Sequence, residues 1–287
     1  MRTRSRAGRA IVALALVGGA ALTAMVFATA ASAAVPGLER VVRISDTNST
    51  NVKPNGSPCP SGKRLLGGGG EITGGLGQVE MDRLRTDPFG LTVIAGEDED
   101  GTAANWSIRT QSICADPLPG LQIVRADGPS NSKNKHMTAV CPSGTQLVGV
   151  GGEIIGEESK VVMNDLIPEP DLTKVVVRGV ENQNGTAGDW SVRAYAVCAN
   201  PLPGLELVTG ASALDSAPAK SGVATCSAGK RVLGTGVEIT GGLAGQVVVD
   251  DLIPNASLTS VTVTGREDQD GVADDWRARA YAICADA

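Results

Sequence analysis

The sequence repeats itself three times, and this repetition limits the possible folds more than any other feature. A phrase of 11 residues occurs as GEDEDGTAANW, VENQNGTAGDW and REDQDGVADDW, and its final tryptophans lie 84 and then 86 residues apart. Each copy also contains PGL, two cysteines and a glycine-rich run. Self-similarity at a fixed period indicates a structure built from equivalent units. We therefore predict three repeats of about 84 residues, at 34–117, 118–201 and 202–287.

The segment before the repeats has the composition of a secretory signal peptide. Residues 1–33 carry four arginines near the start, an apolar run from Ile11 and an Ala-Ser-Ala end, which predicts cleavage after Ala33. An uncleaved membrane anchor is the alternative, because the apolar run is long enough to span a bilayer. Removing four arginines leaves 21 basic against 31 acidic residues, a net charge of -10. This acidity argues against nucleic acid and against an anionic membrane surface as partners after cleavage.

Export changes the interpretation of the six cysteines, because oxidising compartments favour disulfides. Two cysteines in each copy enclose similar lengths of chain, so one bridge per copy is the simplest pairing. The predicted pairs are Cys59/Cys114, Cys141/Cys198 and Cys226/Cys284. A bridge between neighbouring copies is the alternative. Zinc binding lacks the usual C-x-x-C pair, and the one histidine, His136, occurs in the second copy alone.

Short runs of Val, Ile, Leu and Thr, broken by Gly, Pro, Asn and Asp, predict an all-β fold. Each copy has five or six such runs, which in the third copy are 205–208, 222–226, 231–240, 246–252, 258–267 and 276–284. In the last strand the tryptophan, small apolar residues and the cysteine share one face. We therefore predict buried tryptophans and outward-facing Tyr195 and Tyr281, with Gln111 as their counterpart in the first copy.

The glycine-rich run places glycines at alternate positions, which leaves a slot on one face of a strand. The pairs are Gly67/Gly69, Gly149/Gly151 and Gly234/Gly236. Because cross-strand aromatics often cover strand glycines, we expect each tryptophan to lie over such a pair, in its own copy or the next. The G-x-G patterns do not precede a helix, so we predict no nucleotide and no other cofactor.

The phrase that ends in tryptophan places oxygen-bearing side chains close together, as a calcium loop would. The second copy, however, has Asn182 and Asn184 where the other copies have acids. Asp-Gly and Asn-Gly serve equally well as turn formers, so we predict hairpin turns and no metal site. A weak calcium site at Asp98/Asp100 or Asp268/Asp270 remains the alternative.

The residues offer little for catalysis, and we predict that the protein is not an enzyme. There is no G-x-S-x-G or H-E-x-x-H motif, and His136 lies in a polar segment that predicts an exposed loop. Recurrent acids could supply paired carboxylates for glycoside cleavage, but ion pairs with equally recurrent arginines are the simpler role. These acids are Glu71, Glu153 and Glu238, and the arginines are Arg109, Arg193 and Arg279. The other acids of interest are predicted as solvated strand ends: Asp82, Asp165, Asp250 and Asp251.

Two architectures fit three such units. The copies could be small disulfide-stapled sandwiches strung on the joints DPLPG and NPLPG, or three sheets around a pseudo-threefold axis with a shared core. The predicted mature chain has three Trp, two Tyr and one Phe, so a separate copy would bury one large aromatic. Small domains are already marginal in stability. Pooling the tryptophans favours the pseudo-threefold, β-prism-like arrangement.

The order of these features resembles a known family. CPSG, which is CSAG in the third copy, then a glycine-rich strand and a return strand ending in cysteine resembles the β-prism of the vitelline membrane outer layer protein I type. The pattern is also similar to secreted actinobacterial proteins with a Cys-Pro-x-Gly signature. The β-prism resemblance implies an extracellular coat or carbohydrate-contacting role. We therefore predict a secreted, non-enzymatic β-repeat protein that acts by surface display or binding at the cell envelope. A polysaccharide-binding module and an unusual extracellular hydrolase are the alternatives.

Overall fold

The structure is a computed structural model that describes residues 35–242 and 245–287. The predicted signal peptide, at 1–33, and its cleavage site lie outside these residues. Every regular element in the described part of the chain is a β-strand, which confirms the all-β prediction. Accordingly, no described segment forms an apolar helix long enough to cross a bilayer.

Each copy contributes six strands. The first has β1 (Glu39–Ile44), β2 (Val52–Pro58), β3 (Arg64–Thr73), β4 (Val79–Asp87), β5 (Gly90–Glu97) and β6 (Ser107–Ala115). The second has β7 (Gln122–Asp127), β8 (Lys135–Val140), β9 (Gln146–Ile155), β10 (Val161–Pro168), β11 (Lys174–Glu181) and β12 (Ser191–Ala199). The third has β13 (Glu206–Ala211), β14 (Ala219–Thr225), β15 (Lys230–Gly241), β16 (Val247–Pro254), β17 (Ser260–Glu267) and β18 (Trp276–Asp286). The third-copy strands agree with those predicted from the sequence to within a few residues.

The copies exchange strands cyclically, so that each sheet combines halves of two copies. The strand orders are β1-β6-β3-β16-β17-β14, β7-β12-β9-β4-β5-β2 and β13-β18-β15-β10-β11-β8. Within each sheet the copies meet through one antiparallel pair: β3 with β16, β9 with β4, or β15 with β10. The pseudo-threefold arrangement predicted from the sequence is therefore the observed one, and we call its centre the axis.

Each copy also retains features of the alternative architecture, because its two halves face each other as a wedge-shaped sandwich. Gly70 of β3, for example, faces Met81 and Val93 of the opposing half. One disulfide per copy joins the two halves, as the cysteine spacing predicts. The bonds are Cys59–Cys114, Cys141–Cys198 and Cys226–Cys284. The protein is thus three stapled wedges joined edge to edge, not three separate domains.

The glycine-rich strands meet one another at the axis, so the expected tryptophan cover over the glycine pairs is wrong. A Cβ on Gly67 would lie 2.5 Å from the Leu233 oxygen and 2.8 Å from the Gly234 Cα. Gly234 faces Gly149 in the same way, and Gly149 faces Gly67. The second glycine of each pair, such as Gly236 against the Leu166 oxygen, meets a neighbouring copy's strand. The slots are therefore filled by backbone, which only glycine allows at this separation.

The side chains directly before the first glycine of each pair, Leu66, Val148 and Leu233, belong to an apolar cluster shared by all three copies. Its other members are Val35, Ala115, Leu118, Val197, Ala199 and Ala285. The tryptophans are fully buried within the larger core, as predicted. Trp190 and Trp276 do cover strand glycines, but these are Gly179 and Gly265 of β11 and β17. The core and the axis therefore both depend on residues from more than one copy.

Three acids that the sequence predicts as solvated strand ends are instead buried. Asp82, Asp165 and Asp250 are between 1% and 6% exposed, whereas Asp251 is half-buried. They lie on strands β4, β10 and β16, which border a neighbouring copy. Asp165, for example, accepts a hydrogen bond from the Ile239 amide of the third copy at 3.2 Å. The prediction fails because strand alternation reveals two faces but does not show that a neighbouring copy covers the second one.

Candidate functional site

The phrase that ends in tryptophan forms a connection between two sheets, so the predicted hairpin is wrong. In the second copy it leaves β11 of one sheet and enters β12 of another. Such a connection turns the chain across the core, whereas a hairpin joins neighbours in one sheet. The turn residues that we assigned to a hairpin fit both geometries equally well.

The first side chain of the turn stabilises the turn itself. The Asn182 Oδ1 accepts hydrogen bonds from the amides of Asn184 and Gly185, both at 3.1 Å. The Oδ1 of Asp98 and that of Asp268 accept the equivalent bonds in the other copies. The glycine that follows has a positive φ in each copy. The turn-forming role predicted for these oxygens is therefore observed.

The recurrent acid before the turn holds the tryptophan, a role that sequence reasoning missed. The Trp190 Nε1–H donates to Glu181 Oε1 at 3.0 Å, and Glu181 Oε2 accepts from the Thr186 amide. Glu97 and Glu267 make the same pair of contacts with their own copies. A buried indole N–H normally requires such a partner.

A lysine completes this group in every copy. The Lys135 ammonium lies 3.3 Å from the Trp190 ring centre and donates to the backbone oxygens of Trp190 and Asn131. Lys53 and Lys220 make the equivalent contacts. Burial lowers the pKa of Lys53 and of Lys135. The signal was present in the sequence, since these lysines precede their tryptophans by 53, 55 and 56 residues.

The three recurrent glutamates form the predicted ion pairs with the recurrent arginines. The N–O distances are 2.9 Å for Arg109–Glu71, 2.8 Å for Arg193–Glu153 and 2.7 Å for Arg279–Glu238. The glutamates lie in three different sheets, so they do not come together as one catalytic pair. Two of them instead face an aspartate of the neighbouring copy, Glu71 opposite Asp251 and Glu238 opposite Asp165.

Tyr195 and Tyr281 are buried, which contradicts their prediction as outward-facing aromatics. They are 6% and 7% exposed, and their hydroxyls donate to Glu153 at 2.9 Å and Glu238 at 2.7 Å. Burial raises the pKa of Tyr281 to about 12. Gln111 is buried at the corresponding position. These side chains do lie on the face opposite the tryptophan, but that face is covered near the junction between copies.

His136 is exposed, as predicted, but it lies in strand β8 opposite Arg178 and not in a loop. Its strand is at the edge of a sheet. The polar residues around it had predicted a loop because an edge strand with one solvated side carries a similar composition. Its cross-strand neighbour is therefore an arginine and not one of the recurrent glutamates, with which it could have formed a catalytic pair.

The three turns converge at one end of the axis. The Asn182 side-chain Nδ2 donates to Glu99 Oε1 at 3.1 Å, and the Gln183 side-chain Nε2 donates to Asp270 Oδ2 at 2.8 Å. Gln78 and Gln269 join the first and third copies in the same region. We call the small, partly enclosed space between the turns the axial cavity. Its lining residues are Glu80, Asp98, Glu99, Asp100, Ser159, Val162, Asn182, Gln183, Gly245, Val248 and Asp268.

One side of the axial cavity is formed by equivalent positions of β4, β10 and β16, and the residue type differs between the copies. They are Glu80, Val162 and Val248, each 2% exposed. Val162 and Val248 pack against each other, whereas the Glu80 Oε1 has no hydrogen-bond partner within the described residues. Burial, with the nearby charges of Asp82 and Asp98, raises the pKa of Glu80 well above its usual range.

Two larger concavities lie where one copy meets the next, and we call them junction notches. The larger, of about 450 Å³, lies between the first and third copies and includes Arg40, Arg231 and Ser257. The smaller, of about 160 Å³, lies between the first and second copies and includes Leu121 and Ile123. Their positions correspond, but one notch is polar and the other is largely apolar. Copy-specific residues therefore determine the character of each.

The chain matches no protein-family model and no curated protein sequence.

Proposed function

We propose that this is a secreted, non-enzymatic β-prism protein that acts by display or binding at the cell envelope. The observation that carries the proposal is the use of the recurrent ionisable residues in scaffold contacts. Glu71, Glu153 and Glu238 each pair with an arginine, and the Lys–Trp–Glu groups hold the turns. A structural role in each of the three copies explains why these residues recur, so no catalytic role is needed to explain them.

The disulfides support the extracellular part of the proposal. Three bonds in a chain of 287 residues are typical of proteins from oxidising compartments. The resemblance to β-prism coat proteins points to the same location. The net negative charge favours neutral or cationic partners over nucleic acid and anionic membranes.

The polar junction notch is the best-supported place for a ligand. Its volume of about 450 Å³ falls within the range of small-ligand sites. Arg40 donates to Gln111 and to the Pro254 oxygen, so its guanidinium is held in place at the rim. Arg231 has a counterpart in the first copy, Arg64 at the smaller notch, whereas the second copy has Gln146 at the corresponding position. A partly polar oligosaccharide or peptide of the envelope matches this lining.

The polysaccharide-binding alternative has little support, because sugar binding usually uses exposed aromatic side chains, and Tyr195 and Tyr281, which the sequence predicts to face outward, are buried. Within the described residues, Phe89 is the exposed aromatic, at 60%, and the Arg64 guanidinium lies 4.7 Å from its ring centre. The hydrolase alternative would use Glu71/Asp251 or Glu238/Asp165. Neither pair lines the axial cavity or a junction notch.

The experiment measures binding and hydrolysis together. Purified mature protein is incubated with an insoluble envelope fraction, and the protein that sediments and the sugar released are both quantified. We expect sedimentation without release, and weaker sedimentation for Arg231→Gln, which introduces the residue of the second copy. His136→Gln, outside the notch, is the matched control. Sugar release that grows with time and is lost in Glu238→Gln would show that the protein is an enzyme.

A further inference from the structure

The axial cavity contains a carboxylate that the packing does not require. Glu80 occupies a position that valine fills in the two other copies, Val162 and Val248, with the same burial. Burying a carboxyl group whose Oε1 has no hydrogen-bond partner is unfavourable, whereas valine at this position would add to an existing apolar contact. The acid therefore has no structural explanation in the contacts that surround it.

The cavity concentrates negative charge and oxygen atoms around this carboxylate. Asp98, Glu99, Asp100 and Asp268 line it together with Glu80, and the amide side chains of the second copy's turn complete the lining. Lys160 offsets part of this charge, with its ammonium 3.7 Å from Glu99. Asp98 uses Oδ1 for its own turn, which leaves Oδ2 for another partner, whereas the Asp268 carboxylate also accepts from the Gln183 side chain.

The size of the cavity limits what can enter. Its volume of about 10 Å³ is close to the space that one water molecule needs. A sugar, a peptide or a lysine side chain is too large for it, but a single ion is not. The lining offers oxygen atoms without sulfur or imidazole nitrogen, which is the ligand set of hard cations and not of zinc or copper.

We propose that the axial cavity binds one hard divalent cation of the calcium class, with Glu80 as its buried carboxylate ligand. This site differs from the turn-by-turn calcium sites considered from the sequence, because it lies between the three turns and is shared by all copies. It is also independent of envelope binding at the junction notches.

The affinity should be modest. Within 35–242 and 245–287, no three His, Cys, Asp or Glu side chains converge closely enough to hold a metal by themselves. Amide and backbone oxygens and water must complete the coordination, which calcium accepts more readily than magnesium. We therefore expect a dissociation constant of about 10⁻⁴ to 10⁻³ M, as in other extracellular calcium sites.

The test is calcium titration of the disulfide-intact mature chain by calorimetry, after treatment with a chelator. We expect one ion per chain, a rise in melting temperature at about 10 mM calcium, and a smaller response to magnesium. Glu80→Gln should weaken binding at least about tenfold, since even outer-shell ligand partners contribute that much. Glu80→Val should melt higher than the unaltered chain without calcium and should not respond to the ion.

Glu39→Gln is the matched control, because Glu39 pairs with Lys63 outside the cavity. This variant should keep the full calcium response. The proposal is overturned if the unaltered chain binds no calcium at these concentrations. It is equally overturned if two or three ions bind, as separate turn sites would require, or if Glu80→Gln and Glu80→Val respond as strongly as Glu39→Gln.

Discussion

Replacing Trp190 by alanine tests whether the wedges unfold together. The Trp190 ring is fully buried, its indole N–H donates to Glu181, and the Lys135 ammonium lies 3.3 Å from its centre. Loss of a buried aromatic of this size costs about 3 to 5 kcal/mol, and the two abandoned partners add to the cost. For a domain of this length, 3 to 5 kcal/mol lowers the melting temperature by roughly 6 to 20 °C.

The strand exchange determines how this loss is distributed. The second copy contributes β7, β12 and β9 to one sheet and β8, β11 and β10 to another, so it borders both other copies. Calorimetry should therefore show one cooperative transition at a lower temperature. Phe89→Ala is the control, because this aromatic is 60% exposed and its loss should cost no more than about 1 kcal/mol. A Trp190→Ala scan with one low transition and an unchanged high one would refute the reasoning.

Three further results are expected. Gly149→Ala should destabilise the protein by about 1 to 3 kcal/mol or more, because the added Cβ would collide with the Leu66 oxygen. Gly56→Ala is the control and should change the free energy of unfolding little, because a Cβ there lies 3.8 Å from the nearest atom outside its chain neighbours. Burial raises the pKa of Asp165 and of Asp250 to about 6, so the folded chain binds more protons than the unfolded chain above the ordinary aspartate pKa. With a chelator present, the melting temperature should therefore decrease as the pH rises from 4 to 7. The decrease should be smaller in Asp250→Asn, which introduces the residue of the second copy. The intact mass of the exported protein should correspond to a chain that begins at Ala34 and has no free thiols. Alkylation of any cysteine before reduction would contradict one bridge per copy.

The strands and the tryptophan core could be predicted because they depend on local patterns. The alternation of residue types around Trp190 and Trp276 identifies the buried face. The recurrence of Glu153 and Arg193 in every copy predicts their ion pair from the sequence alone. Three copies of one pattern act as repeated observations of the same local structure. Cysteine spacing gave the pairing for a similar reason, since equal loops suggest equal bridges.

The exchange between copies could not be predicted in the same way, because no local pattern records it. Asn-Gly at 184–185 suits a hairpin and a connection between sheets equally, and alternation at Tyr195 cannot show that the second face is also covered. Gly67 and Gly149 predict a slot but not the backbone that fills it. Two signals were nevertheless present in the sequence: the similar spacing of the lysines from their tryptophans, and Glu80 in a strand whose equivalents have valine.

The central claim, that neighbouring copies complete each other's sheets, is tested most directly by cutting the joints between them. Protease sites introduced near Pro117 and Pro201 would allow both joints of the folded mature chain to be cleaved after purification. We predict that the three pieces, which no disulfide connects, remain together as one particle by size exclusion and melt in one transition. Dissociation into stable, folded single copies, each with its own disulfide, would contradict the exchange of strands.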